Sequence, residues 1–323
     1  MTLPGAVRRH LRPALLVSLL AFAGYGFLLG GFDPMEAFGA LAAVPATVWA
    51  LILALSLCNY ILRWLRWQWL LRASGHCVPA GRSLVMYVAG FAFTATPAKA
   101  GEAVRAAYLQ DEGVPVARTL SLLYVERWLD GAAVALLAVG AVGLWVGSPL
   151  HGILLAVGIV AAMMILASRR VMRTLQRACE RRSGRFRDWI GDLLGRIEGL
   201  LRPHLLAGGL GIGVIAWAAE GVGLALVLLA LDAEIPIGLA IGILAGAMLG
   251  GAVMLLPGGL GGTEALMMAA LVKAGVGAGI ASAATVVCRV ATLWFAVALG
   301  ALAVFGLTLQ GRDARNKHAG TPS

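Results

Sequence analysis

Two polar islands interrupt an otherwise oily chain, and their residue types suit the grip of an anion. The first runs Thr96-Pro97-Ala98-Lys99-Ala100-Gly101-Glu102-Ala103. The second runs Leu256-Pro257-Gly258-Gly259-Leu260-Gly261-Gly262-Thr263-Glu264-Ala265. In each, a Pro closes an apolar run, Gly follows, and Glu-Ala opens the next stretch. An Arg follows each Glu by 25 positions, Glu102 to Arg127 and Glu264 to Arg289. A Gly precedes each Pro by seven positions, Gly90 and Gly250. Pro97 and Pro257 cannot continue the helices they end, and the glycines let the backbone turn. The half-helix begun behind each turn has N–H groups without intrahelical partners and a dipole that favours negative charge.

Lys99 and Arg105 add positive charge at the first island. The spacing Lys99, Glu102, Arg105 is i, i+3, i+6, which sets the three on one side of a helix. Such a place suits a phosphate headgroup; a hairpin that only packs, with Lys99 and Glu102 paired, is the plainer reading. At the second island Gly258, Gly259, Gly261 and Gly262 permit very close backbone approach. Farther along stand Glu126, Arg127 and Asp130. In a helix that starts near Thr119, Glu126 lies roughly 10–12 Å along the axis, near the midplane of a hydrocarbon core ~30 Å thick. Arg289 is similarly deep in a helix that starts near Ile280, and Glu220 sits past the middle of its own helix. Charges at that depth face a cavity or one another. Arg127 and Asp130 can pair locally, and Glu126 can reach Arg105 or Lys99.

The elements that must position these residues are membrane helices. The chain has 323 residues, of which 60% are hydrophobic and 13% charged. That balance excludes an ordinary soluble domain and a disordered chain. Uncharged stretches long enough to span a bilayer occupy 13–32, 37–62, 131–168, 235–263 and 290–311, against about 20 residues per helical crossing. Gly147-Ser148-Pro149 divides the third into two helices. No period-2 alternation suggests a barrel, so the expected fold is an all-α, polytopic helical bundle. It should hold about six full transmembrane helices and two re-entrant or broken hairpins at the islands, in one integral membrane domain over 1–323. The stretch 13–32 has a basic front like a signal peptide, but it runs on past Ala21-Phe22-Ala23 and reads as an uncleaved first helix.

Loop charge sets the expected orientation. Arg8, Arg9 and Arg12 place the N-terminus in the cytoplasm, and Arg312, Arg315 and Lys317 place the C-terminus there too. Between Arg169 and Arg202 lie ten Arg and four acids, a further cytoplasmic segment. Arg63, Arg66, Arg72 and Arg82 read as one more cytoplasmic anchor. Asp33 and Glu36, then Asp232 and Glu234, mark outer loops. The hairpins then enter from opposite faces, giving pseudo-repeat halves of about 37–146 and 205–309, joined by the basic segment 169–204. Within that segment Trp189, Ile190, Leu193, Leu194, Ile197, Leu200 and Leu201 alternate with Arg as in a helix lying on an anionic leaflet. The formal charge of +10 is therefore loop charge, and no nucleic-acid partner is expected.

Other chemistries find little support. Cys58, Cys77, Cys179 and Cys288 form no C-x-x-C pair, and the His are scattered, so no metal site is expected. The Gly258–Gly262 run is not a phosphate-binding Walker loop, because no Lys follows it. No cofactor motif and no Ser–His–Asp grouping stands out, and no catalytic residue is assigned. Gly242, Gly246 and Gly250 make a smooth helix face that suits close packing within the chain, with a homodimer as the alternative.

The pattern from Arg63-Trp64-Leu65-Arg66-Trp67, through Pro97-x-x-x-Gly101-Glu102-x-x-Arg105 and Glu126-Arg127-x-x-Asp130, to Pro257-Gly258-Gly259-Leu260-Gly261-Gly262-Thr263-Glu264 resembles the transmembrane region of lysylphosphatidylglycerol synthases, a flippase-like membrane family. The resemblance covers roughly residues 10–310, and the Pro-Gly-Gly-x-Gly-Gly-x-Glu stretch is its most specific part. It implies a protein that moves a lipid between leaflets of a bacterial inner membrane. In the synthases a soluble aminoacyl transferase domain follows this region. None follows within these residues, so lysyl transfer is not expected. The site expected from the islands and the buried charges comprises Lys99, Glu102, Arg105, Glu126, Arg127, Asp130, Pro257, Gly258, Gly259, Gly261, Gly262, Glu264 and Arg289. The expected partner is a membrane lipid with an anionic headgroup, with a lipid-synthesis enzyme as a second candidate. The rival readings are a secondary transporter of a small anionic solute, an intramembrane lipid-modifying enzyme, and a scaffold for lipid synthesis.

Overall fold

The computed structural model describes residues 41–94, 96, 102–139, 148–166, 185–254 and 257–319, with Gly39 and scattered positions within 168–177. Among these, eleven α-helices follow one another with no strand. They are α1 (Ala46–Ala73), α2 (Ala80–Ala89), α3 (Val104–Gln110), α4 (Val116–Leu137), α5 (Pro149–Leu166), α6 (Arg185–Leu200), α7 (Pro203–Ala230), α8 (Ile237–Val253), α9 (Gly262–Lys273), α10 (Ala278–Arg289) and α11 (Phe295–Ala319). Pro45, Pro79, Pro115 and Pro236 stand immediately before helices, and Pro203 opens α7. Proline suits that position, because its fixed φ is helical and no N–H is lost from the ladder.

Three helical stretches among the described residues are long and apolar enough to cross a membrane: Ala46–Ala73, Pro203–Ala230 and Ala278–Leu309. The expected first helix at 13–32 lies outside the described residues, as does the expected turn at Gly147. The elements around the islands are shorter. α2 continues only as a 3₁₀ turn, Gly90–Phe93, and α3 has seven residues. α8 has 17 residues and α9 has 12. Each falls short of the ~20 residues of a full crossing.

α1 and α7 run antiparallel along most of their length. Gly223 touches Ile52 near one end, Asn59 donates to the Ala216 carbonyl at 2.8 Å, and Gly208 lies beneath Trp69 near the other. α4 packs against α7, α6 and α8. Two larger apolar cores and two smaller clusters result among the described residues. The first larger core gathers Trp67, Tyr87, Phe91, Leu122, Leu129 and Leu200. The second gathers Ile52, Leu224, Ile243, Leu271 and Val287. On α1 the opposite face exposes Leu51, Leu57, Ile61 and Leu65, as a lipid-facing stripe does.

Two sequence expectations change. Arg63 and Arg66 are not a loop anchor: α1 continues to Ala73, and both side chains are buried within the bundle. The inside assignment at that end then rests on Arg72 and Arg82. The apolar side of α6 does not meet lipid either. Ile197, Leu200 and Leu201 are buried in the first core, with Leu193 and Leu194 packed against it. The glycine face of α8 is used within the chain at Gly250, where a Cβ would collide with Leu266 of α9.

Candidate functional site

α4 crosses the bundle carrying Glu126, Arg127 and Asp130, and it brings two carboxylates against the arginines of its neighbours. Asp130 accepts hydrogen bonds from Arg63 (Nη2 to Oδ2, 2.9 Å) and from Arg66 (Nη2 to Oδ1, 2.5 Å), both on α1. Trp217 of α7 donates its Nε1–H to the same carboxylate at 3.3 Å. Arg66 fits because α7 offers glycine there: a Cβ on Gly213 would stand 2.9 Å from Arg66 Nη1. Arg63 also lies over the Trp217 ring, 5.0 Å from its centroid.

Arg105 is the centre of the first island. It donates to Glu102 at 2.7 Å and to Glu126 at 2.9 Å, and Tyr87 donates its hydroxyl to the other Glu126 oxygen at 2.6 Å. Its guanidinium lies 4.0 Å from the Tyr87 ring centroid and 5.4 Å from that of Trp67, close enough for cation–π attraction. Gly90 is required by this arrangement, since a Cβ there would stand 2.6 Å from Arg105 Nε. Lys99 lies outside the described residues, as do Pro97 and Gly101.

Arg127 differs from the other arginines of the cluster. Its Nη2 lies 3.1 Å from Asp130, 3.2 Å from Glu126 and 3.6 Å from Glu102, yet it has no hydrogen-bond geometry to any of them among the described residues. Its side chain keeps 28% of its surface exposed, against 5% for Arg63, 0% for Arg66 and 1% for Arg105. Among the described residues the cluster holds four arginines, 63, 66, 105 and 127, and three carboxylates, 102, 126 and 130, a surplus of one positive charge.

At the second island the chain turns through Pro257–Gly259, with φ of +61° at Gly258, +68° at Gly259 and +82° at Gly261. A side chain at these positions would be strained. α9 then starts at Gly262 with Glu264 in its first turn, and Arg289 donates to Glu264 at 2.6 Å and to the Gly258 carbonyl at 3.1 Å. Both glutamate–arginine pairs that stand 25 residues apart in sequence are therefore ion pairs in the fold. Thr263 is packed so closely on α8 that a Cβ at Gly251 would collide with its hydroxyl.

One cavity, of about 330 Å³, joins the two islands. Arg63, Glu102, Arg127 and Asp130 line it from one side, and Gly258, Gly259, Thr263 and Arg289 from the other. Phe91, Val134, Met248, Leu249, Leu293 and Ala296 give it apolar walls. Glu126 and Arg105 stand behind the lining as supports. Glu264 reaches it through Arg289, and Pro257, Gly261 and Gly262 shape the turn. The arrangement is suited to holding an anion, not to coordinating a metal: Glu102, Glu126, Asp130 and Glu264 are all engaged by arginine.

Sequence reasoning missed Arg63, Arg66, Tyr60 and Trp217 as members of the site. A signal was present for α1. Ser56, Asn59, Tyr60, Arg63, Arg66 and Trp67 recur at three- and four-residue spacing, a stripe that stays buried while Leu57, Ile61 and Leu65 face out. In an otherwise apolar membrane helix such a stripe points inward.

The family model described as the lysylphosphatidylglycerol synthase transmembrane region matches residues 11–300. With its apolar helices, the match identifies a membrane protein and links it to lipid handling. No curated protein matches the chain.

Proposed function

Because the chain belongs to the lysylphosphatidylglycerol synthase transmembrane-region family, we propose that it translocates an amphipathic lipid with an anionic, phosphate-type headgroup between leaflets of a bacterial inner membrane. The observation that carries this reading is an arginine cluster that reaches, through Arg127, a cavity lined on its other sides mostly by apolar side chains. A small soluble anion needs the first property but not the second; a lipid uses both.

Arg127 is the residue that meets the headgroup. Its Nη2 trades loose proximity to three carboxylates for charge-assisted hydrogen bonds to phosphate, which a planar guanidinium makes in pairs. Arg289 and the glycine turn hold the headgroup from the opposite side, where the absence of Cβ atoms permits close approach. Glu102, Glu126, Asp130 and Glu264 keep the arginines in place. The two halves, about 37–146 and 205–309, are inverted repeats, and rocking of one against the other exposes the cavity alternately while the tails stay in lipid. The termini are cytoplasmic on the same reading.

The test is sided transfer of a labelled phosphatidylglycerol in proteoliposomes, normalised to folded protein. Arg127→Ala, Glu126→Gln and Arg289→Ala should each abolish most transfer, and Arg127→Lys should restore only part of it. If the wild-type protein carries soluble anions but no lipid, the lipid reading is wrong. If Arg289→Ala is silent while Arg127→Ala is dead, the two islands do not share one site.

A further inference from the structure

We propose that the turn between α10 and α11 is the hinge of the molecule, and that the Tyr60 hydroxyl is its latch. The inference rests on the translocase reading above and names the bodies that move and the place where the chain bends.

Those bodies are the two larger cores, not the bare sequence halves. Of the two, α2, α3, α4 and α6 contribute only to the first, and α8, α9 and α10 only to the second. Among the described residues, the chain passes between them inside a helix at three places. α1 has Ile52 in the second core and Tyr60 and Trp67 in the first. α7 runs the other way, from Leu205 in the first to Leu224 in the second. The third crossing is a π-helical turn, Val290–Trp294. Val287 and Ala291 belong to the second core, and Ala296 to the first. Each sequence half thus lends a helix to the other's core, since α1 begins in the second and α11 packs in the first.

The three crossings lie side by side in one layer. Asn59 of α1 donates to the Ala216 carbonyl of α7 at 2.8 Å. Tyr60, the next residue, donates to the Thr292 carbonyl at 2.5 Å. The cavity occupies the same layer, lined by Tyr60, Trp217, Thr292 and Leu293. α1 and α7 are unbroken helices of 28 residues, and long helices accept a gentle curve. A change of angle between the cores therefore bends these two slightly and is taken up mainly at the third crossing.

The turn has the chemistry for that. The Phe295 N–H is shared between the carbonyls of Val290 and Thr292, whereas an α-helix would use the residue four back. The Thr292 hydroxyl turns back onto the Cys288 carbonyl at 2.8 Å, a bond that tends to bend helices. A ladder with alternative partners loses little on moving between them, and the Tyr60 hydroxyl on Thr292 holds one arrangement. Its ring stays in the first core, with Phe91 and Phe295 centroids at 5.1 and 6.2 Å. Gly300 presses α11 onto Phe91 and Ala92, so α11 moves with the arm that leads to the first island. Arg289 ends α10 and moves with the second core. Bending at the turn then changes the distance between Arg127 and Arg289, which line the cavity from opposite cores.

The experiment uses the full chain with its cysteines replaced, in vesicles of phosphatidylcholine with or without phosphatidylglycerol. Spin labels go on exposed apolar positions. One pair, Val85→Cys on α2 and Val272→Cys on α9, spans the cores. The other, Val85→Cys and Leu302→Cys on α11, stays within the first. Dipolar distance distributions are recorded beside sided lipid transfer. The cross-core pair should show two populations whose ratio shifts when phosphatidylglycerol is present, and the within-core pair should stay fixed. Tyr60→Phe keeps the ring and removes the latch. Without phosphatidylglycerol it should change the cross-core ratio about fivefold, the worth of one net hydrogen bond. The wild-type pairs keep the hinge testable if that variant does not fold. A single cross-core population under both conditions, or equal movement within the first core, overturns the hinge and leaves translocation standing where transfer persists. An unchanged ratio in Tyr60→Phe overturns the latch. Cross-core movement with no lipid transfer overturns the translocase reading and not the hinge.

Discussion

Removing Asp130 and removing Arg127 should have similar effects on transport and unequal effects on folding. Asp130 accepts from Arg63 at 2.9 Å and from Arg66 at 2.5 Å, and both arginines are buried. In Asp130→Ala the cluster keeps four arginines but only Glu102 and Glu126, so its surplus rises from one positive charge to two. Breaking a buried pair by deleting one partner costs about 3–5 kcal/mol. Arg127→Ala instead leaves three arginines and three carboxylates, a neutral cluster. Its side chain keeps 28% of its surface exposed and Nη2 makes no hydrogen bond among the described residues, so the expected cost is smaller than that of Asp130→Ala. The assay is thermal unfolding of both variants in one detergent, followed by sided lipid transfer on the folded fraction. Asp130→Ala should melt far below the wild type, and Arg127→Ala by a smaller margin; both should transfer little lipid. Replacing Arg66 by Met in the Asp130→Ala background should recover part of the lost stability, because it removes one stranded charge. Equal destabilisation by the two single changes would refute the division between a supporting carboxylate and a ligand-facing arginine.

Other outcomes follow from the same geometry. Gly251→Ala should destabilise by about 1–3 kcal/mol through overpacking, and Thr263→Ala in that background should relieve part of it, read by the same melting assay. In a cysteine-free background, single Cys probes at Asp33 and Asp232 should label from outside and one at Arg182 should not; outside labelling at Arg182 would reverse the charge-based orientation. Gly261→Val should impair transfer at unchanged membrane content, since a β-branched residue is strained at the observed φ of +82°.

The islands were legible because helix breakers and charges are rare and costly in apolar sequence, so their repetition carried information. The 25-residue spacing of Glu102–Arg127 and Glu264–Arg289 was visible, and both turned out to be contacts. Glu126 reaching Arg105 and Arg127 beside Asp130 were also foreseen from helical spacing. Arg63 and Arg66 were misplaced because the span was ended at its first charge, whereas a charged side chain can continue a membrane helix when a partner such as Asp130 waits across the bundle. The amphipathic α6 was misread for another reason. Apolar residues gathered on one side of a helix mean that this side avoids water, but not whether it meets lipid or protein; here Ile197 and Leu200 meet the core beneath α4. The cavity itself was out of reach, because Trp217, Glu220 and Met248 enter it from helices that carry no island.

Between α10 and α11 the chain makes one π-helical turn, Val290–Trp294, and Tyr60 donates its hydroxyl to the Thr292 carbonyl at 2.5 Å. Such a turn accommodates one residue more than an α-helix would, and one residue is worth about 100° of rotation. Downstream, Gly300 presses so closely on the backbone of Phe91 and Ala92 that no side chain fits between them, which fixes the rotational phase of α11. Upstream, Arg289 points at Glu264 and Gly258. The phase of α10 is thus set by a residue inserted outside it, and excising Val290 or Trp294, neither of which lines the cavity, would swing Arg289 around the helix axis and off the cavity without changing a single residue of the site.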